Sequence, residues 1–222
     1  MILNKFETEF FFPVINIREG DQFTSGFVGI NPNSKIPAAV DKDGPGGLPI
    51  NLFESASIVL YLADKFKRFI PEDFKLRTEV LNWVFWQMGG LGPITGQFAH
   101  FMMYAPPDKL EARDYGVSRY GMEVQRLCSV LDRHLVGKTY IVGEEYTIAD
   151  IILFPYIHGI RTVVKHPSGI DANEFLTFSQ YANVIAWADR ILARPAVARG
   201  ITVCTKSVGK PWLDLPPSSD SI

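Results

Sequence analysis

The pair Glu54-Ser55 sits where a short apolar run, PINLF, gives way to a helical period. The first turn of a helix presents unpaired N–H groups and the positive end of the macrodipole, so a small carboxylate docks there readily. Ser55 adds a hydroxyl donor and Glu54 an acceptor for an ammonium. Together they suit a ligand carrying an amine and a carboxylate on one carbon, and the plainer role for Glu54 is to complement the helix dipole. Upstream, Asn33-Ser34-Lys35-Ile36-Pro37 puts a proline at the start of a strand, where the bond can be cis. A cis bond there exposes the N–H and C=O of Ile36 to a ligand lying alongside; the ordinary alternative is a turn ending in a strand.

Other reactive residue types carry less. Thr147-Ile148-Ala149-Asp150 has the spacing of a capping box ahead of an apolar run, which is a structural role and not a catalytic one. His100, His134, His158 and His166 show no metal-ligand spacing with cysteine or carboxylate, so no metal is expected. Cys128 falls on an apolar helical stripe and reads as a buried hydrophobe, and Cys204 forms no CxxC pair with it. Phe98, Phe101 and Tyr104 would line a cavity or, more simply, pack in the core. No dinucleotide, P-loop or nucleophile-elbow motif is present.

The elements that must position these residues follow from periodicity. Phe10–Ile17, Ile36–Val40 and Pro49–Phe53 read as strands, the last two as a hairpin around DKDGPGG. The glycine- and serine-rich stretch between the first two has room for a helical turn but no long element. From Glu54 the period becomes helical through Phe66. Helices are expected over Leu76–Met88, with a bend or break at Gly89–Pro93, over Ala112–Leu135, over Ile151–Ile160 and over Phe178–Ala193, ending at Arg194-Pro195. The expectation is a small α/β domain over 1–72, an all-helical domain over 73–206 and a proline-rich tail over 207–222, with the junction near Ile70–Lys75.

Composition narrows the function classes. The 222 residues are 47% hydrophobic and 21% charged, with 22 Lys plus Arg against 24 Asp plus Glu. That balance gives no cationic excess for nucleic acid, and no run reaches the ~20 apolar residues of a membrane helix. The N-terminal residues lack a secretory layout. A soluble protein of the reducing cytoplasm, binding neither nucleic acid nor membrane, is expected.

The order Lys35-Ile36-Pro37, then Phe53-Glu54-Ser55-x-Ser57-Ile58-x-x-Tyr61-Leu62-Ala63, then Tyr146-Thr147-Ile148-Ala149-Asp150 resembles the cytosolic glutathione transferases. The segments GDQFTSGFVGINPNSKIPA and NWVFWQMGGLGPITGQFAHFMMYAP look like its Nu-class branch of glutathione-dependent disulfide-bond reductases. The likeness runs over about residues 14–200. It implies a thioredoxin-like N-terminal domain followed by an all-α one. It also implies that glutathione or its disulfide is bound as substrate, with a small disulfide or electrophile as second substrate, in a homodimer. Carried onto this chain, Ile36 before cis-Pro37 would pair its backbone with the cysteinyl part. Glu54 and Ser55 would hold the γ-glutamyl end, Gln22 and Lys35 would reach the glycyl end, and Arg119 would project across a dimer interface.

One departure accompanies the likeness. The family's first strand, its Thr-x-Asn-type turn and a helix precede the segment corresponding to Phe10–Ile17, and the expectation from the likeness is that this chain begins too late to include them and carries an incomplete N-terminal domain. That turn donates hydrogen bonds to the glutathione thiolate. Lowering a thiol from about 8.5 to about 6.5 takes roughly 2.7 kcal/mol of preferential thiolate stabilisation, and no catalytic residue is named here that supplies it. The expectation is therefore a glutathione-dependent disulfide reductase or transferase, weak as it stands. The alternative is a non-catalytic glutathione-binding or regulatory relative retaining the dimeric fold.

Overall fold

The computed structural model describes residues 13–106 and 108–202. The described backbone divides into two compact units: residues through Phe66 together with those from Ala196 onward, and Lys67–Pro195.

In the first unit the chain enters irregularly over residues 13–16 and turns at 17–20, so the described part of the expected Phe10–Ile17 strand is not a strand. Residues Phe10–Phe12 lie outside the described ones. The physical cause is local. The Asp21 carboxylate takes the Asn16 N–H at 2.8 Å, and the Asn16 carbonyl takes the Glu19 N–H at 3.0 Å, folding the chain back before a ladder can form. A 3-10 turn, Asp21–Phe23, leads into α1, Ser25–Ile30, the short helix that the glycine-rich stretch has room for.

The hairpin forms as β1, Ala38–Asp41, antiparallel to β2, Ile50–Phe53, with Ala38 opposite Phe53 and Asp41 opposite Ile50. β1 starts two residues later than Ile36, since Pro37 has no N–H for a ladder. Helix α2, Ser55–Phe66, follows at once, burying Ala56, Leu62 and Ala63. Asp41, the last residue of β1, accepts from the Tyr61 hydroxyl at 2.7 Å and the Lys65 ammonium at 2.6 Å. Partial burial raises the Asp41 carboxyl, but the hydrogen bonds from Lys65 and Tyr61 outweigh it and hold the group below its ordinary value. These bonds join the far end of β1 to the last turns of α2.

The second unit is mainly helical. Helix α3, Phe74–Trp86, is capped by the Asp73 carboxylate on the Leu76 N–H at 2.9 Å. The helix does not break at Gly89–Pro93. Instead Gln87–Leu91 forms a π-helical turn, the Gly92 N–H bonding to the Gln87 carbonyl, and the chain continues into α4, Gly92–Ala99. Pro93 lies at the junction of the π-helical turn with α4. A second π-helical turn covers His100–Tyr104. Helix α5, Leu110–His134, carries the apolar stripe that buries Val117, Val124, Leu127, Cys128 and Leu131.

Helix α6, Ile148–Thr162, begins three residues earlier than its apolar run and holds Pro155 in its interior. The Thr147–Asp150 capping box is present. Asp150 is fully buried and reaches further than a cap: Oδ2 accepts from the Thr147 N–H at 2.9 Å, and Oδ1 from the Ile141 N–H at 3.0 Å and the Trp187 indole N–H at 2.8 Å. Burial holds its carboxyl above the ordinary value, and these donors offset that only in part. The expected Phe178–Ala193 helix is interrupted. A short α7, Ala172–Phe175, and a 3-10 turn, Phe178–Gln180, precede α8, Ala182–Leu192, because Tyr181 leaves the helical region with ψ 66°. Pro195 ends one helix and opens another, α9, Pro195–Gly200. Among the described residues no helix is long and apolar enough to cross a membrane.

Candidate functional site

The end of the β1–β2 ribbon gathers four of the sequence-derived residues. The Ile36–Pro37 peptide bond is cis. Ala38 opposite Phe53 is the last pair of the ladder, so Pro37 and Glu54 each stand one residue beyond it, with Ile36 and Ser55 next along the chain. Ile36 is 51% exposed, and Pro37 and Glu54 are exposed as well. One short ribbon therefore presents a backbone edge and a helix start together.

Glu54 adopts a left-handed backbone with φ 65°, a conformation that costs an L residue roughly 1–2 kcal/mol. That turn lets α2 begin directly after β2. The Glu54 carbonyl already accepts the first intrahelical bond, from the Ile58 N–H at 3.0 Å. The start of α2 carries the positive end of the helix dipole, which favours a carboxylate.

The loop leading to Ile36 is fixed by Asn31, a residue that sequence reasoning did not single out. Asn31 closes α1, its N–H bonding to the Phe27 carbonyl at 2.9 Å, and it is 2% exposed. Its Oδ1 accepts from the Asn33 N–H at 2.9 Å and its Nδ2 donates to the Lys35 carbonyl at 2.5 Å. The available signal is the Asn-Pro-Asn-Ser run, since asparagine readily bonds the backbone two residues on.

The other sequence-derived residues are placed as follows. Gln22 lies in the 3-10 turn, its Nε2 donating to the Ile17 carbonyl at 3.3 Å and its Oε1 buried without a partner. Lys35 is exposed beside Ile36. Arg119 is exposed on α5, in the other compact unit. Phe98 is fully buried against Phe175, whereas Tyr104 is 62% exposed, so these aromatics do not form one group. Cys128 is fully buried, and burial pushes its thiol up to about 12, which leaves no thiolate at neutral pH. Among the described residues no group of three His, Cys, Asp or Glu side chains is arranged to hold a metal ion.

Comparison with known proteins joins this geometry to a family. A family model described as the glutathione S-transferase C-terminal domain matches residues 98–195. The disulfide-bond oxidoreductase YfcG of Escherichia coli is 36% identical over 202 residues, covering 90% of this chain and 87% of that protein. The chain belongs to the glutathione S-transferase family. A second Escherichia coli relative, the disulfide-bond oxidoreductase YghU, is 46% identical over 188 residues, covering 84% of this chain and 62% of that protein. The chain thus spans less than two thirds of that relative's length. The crystal structure of a glutathione transferase from Burkholderia graminis superposes with a TM-score of 0.86 at 36% identity, over 93% of this chain and 82% of that one. It holds two glutathione molecules per subunit. The architecture is that of the glutathione transferases, a thioredoxin-like α/β part followed by an all-helical part.

Proposed function

We propose that this chain binds glutathione at the end of the β1–β2 ribbon and works as a glutathione-dependent disulfide-bond reductase or transferase of the Nu-class type. The observation that carries the reading is the Ala38–Phe53 pair at the ribbon's end, one residue along the chain from both Pro37 and Glu54. Ile36 then pairs its backbone with the cysteinyl part of the ligand. Glu54 takes the γ-glutamyl ammonium, and Ser55 with the start of α2 takes the adjoining carboxylate. Gln22 and Lys35 serve the glycyl end, where a lysine ammonium complements a carboxylate.

The reaction proceeds by thiol–disulfide exchange. One glutathione thiolate attacks a sulfur of the substrate disulfide, forming a mixed disulfide and releasing one substrate thiolate. A second glutathione thiolate attacks the glutathione sulfur of that mixed disulfide, giving glutathione disulfide and the second substrate thiolate. The protons lost by the two glutathione thiols end on the two product thiols. Two relatives named disulfide-bond oxidoreductases and a related structure holding two glutathione molecules per subunit support this choice. The buried, protonated Cys128 fits a route in which glutathione, not a protein cysteine, supplies the sulfur. The protein acts as a homodimer in the cytoplasm, Arg119 reaching the ligand of the neighbouring protomer.

Assay of 2-hydroxyethyl disulfide reduction with glutathione, alongside Glu54→Ala, tests the reading. Turnover that depends on glutathione and drops in the variant is the expected result. Turnover indifferent to glutathione would reject it.

A further inference from the structure

We infer that Asn31 is a positioning residue for glutathione recognition, acting through the peptide that carries the Ile36 N–H. The inference rests on the reading above and adds to it a residue that does not itself touch the ligand. The Lys35 carbonyl and the Ile36 N–H belong to one planar peptide unit, and in a trans unit they point in opposite directions. Asn31 Nδ2 holds the Lys35 carbonyl at 2.5 Å, so the Ile36 N–H is turned away from Asn31. Asn31 Oδ1 holds the Asn33 N–H at 2.9 Å, and the Asn31 carbonyl takes the Ser34 N–H at 3.0 Å. The turn between them includes Ser34 in the left-handed region at φ 53°, a conformation that serine does not keep unaided. One carboxamide, 2% exposed, therefore fixes both ends of the loop. The consequence for binding is preorganisation: a main-chain donor aimed in advance does not have to be ordered when the ligand arrives.

Asn31→Leu is close to isosteric and removes both side-chain bonds. Asn31→Asp keeps the acceptor for the Asn33 N–H but places an oxygen against the Lys35 carbonyl. It regains a donor only when that buried carboxyl takes a proton. Calorimetric titration with glutathione should show Asn31→Leu weakened at least fivefold at pH 8. Asn31→Asp should be weakened similarly at pH 8 and recover toward the wild-type value as the pH is lowered to 5. A residue that only stabilised the fold would lower the melting temperature without that pH-dependent recovery.

Wild-type protein that fails to bind glutathione would overturn both the functional reading and this inference. Wild-type binding with unchanged affinity in both variants would overturn the inference alone. Should neither variant fold, nuclear magnetic resonance on the wild type decides. Glutathione should shift the Asn31 side-chain NH2 signals together with the Ile36 amide, and an unmoved Asn31 beside a shifted Ile36 would contradict it.

Discussion

Ala38 faces Phe53 in the last pair of the β1–β2 ribbon, and cis-Pro37 and the left-handed Glu54 each stand one residue beyond that pair. Neither residue is notable for reactivity. Their chemistry comes from what the backbone does around them: one borders an unpaired strand approach, the other the start of a helix.

Glu54 has two separable properties, its carboxylate and its φ of 65°. Replacement by glycine removes the first and relaxes the second. Glu54→Gly is expected to be neutral to about 1 kcal/mol more stable, because glycine occupies this region without a Cβ penalty. Its affinity for glutathione is expected to fall by at least ~1 kcal/mol, the scale of a charge-assisted hydrogen bond. Denaturant titration and calorimetry on the same sample read both. Loss of stability with unchanged affinity would assign Glu54 a purely structural place.

Asp150→Ala should cost more than a lost cap. A cap alone is worth roughly 0.5–2 kcal/mol. Here the substitution also strands the Trp187 indole N–H and the Ile141 N–H, both held by Oδ1 in the buried core. Each unpaired buried donor adds roughly 1–3 kcal/mol, so a total of about 2.5–8 kcal/mol is expected from urea unfolding. A loss under about 1 kcal/mol would mean that those donors find other acceptors.

His134 should give the fold an acid-side weakness. Its Nε2 lies 2.7 Å from the Ile141 carbonyl and Lys138 Nζ lies 3.2 Å from Nδ1, while its ring packs on Trp83 at 4.2 Å. Burial and the Lys138 ammonium lower its pKa, partly offset by the Ile141 carbonyl and Glu79. A lowered folded value means that the unfolded chain takes the proton first. Stability is then full above the ordinary histidine value of about 6.5 and falls as pH drops through it toward the folded value. Urea midpoints measured between pH 8 and 5 should fall less steeply for His134→Gln than for the wild type. Parallel slopes would contradict the assignment, since His158, also lowered by burial, is common to both proteins.

Much of the candidate site's local geometry was legible because it follows local rules. The hairpin and α2 show up in the change of period at Glu54, and Pro37 at a strand start marks the cis bond. The Thr147–Asp150 box was readable for the same reason. What was illegible depends on partners distant in sequence or on backbone geometry without a side-chain signature. Trp187 on Asp150 is 37 residues away. The π-helical turn at Gln87–Leu91 keeps the helical path where glycine and proline suggest a break. The aromatic run before Ile17 looks like a strand, yet Asp21 turns the chain over the part described. Asn31 reads as one more loop asparagine until the fold brings the Lys35 carbonyl to it.

The most direct test is an amide-resolved nuclear magnetic resonance titration of the wild-type protein with glutathione. The largest shifts should fall on Ile36, Glu54, Ser55 and Ala56, with the Lys35 and Gln22 amides following. Saturable shifts that leave Ile36 and Ser55 unmoved and gather on the helices of the second unit would contradict a glutathione site at the end of the β1–β2 ribbon.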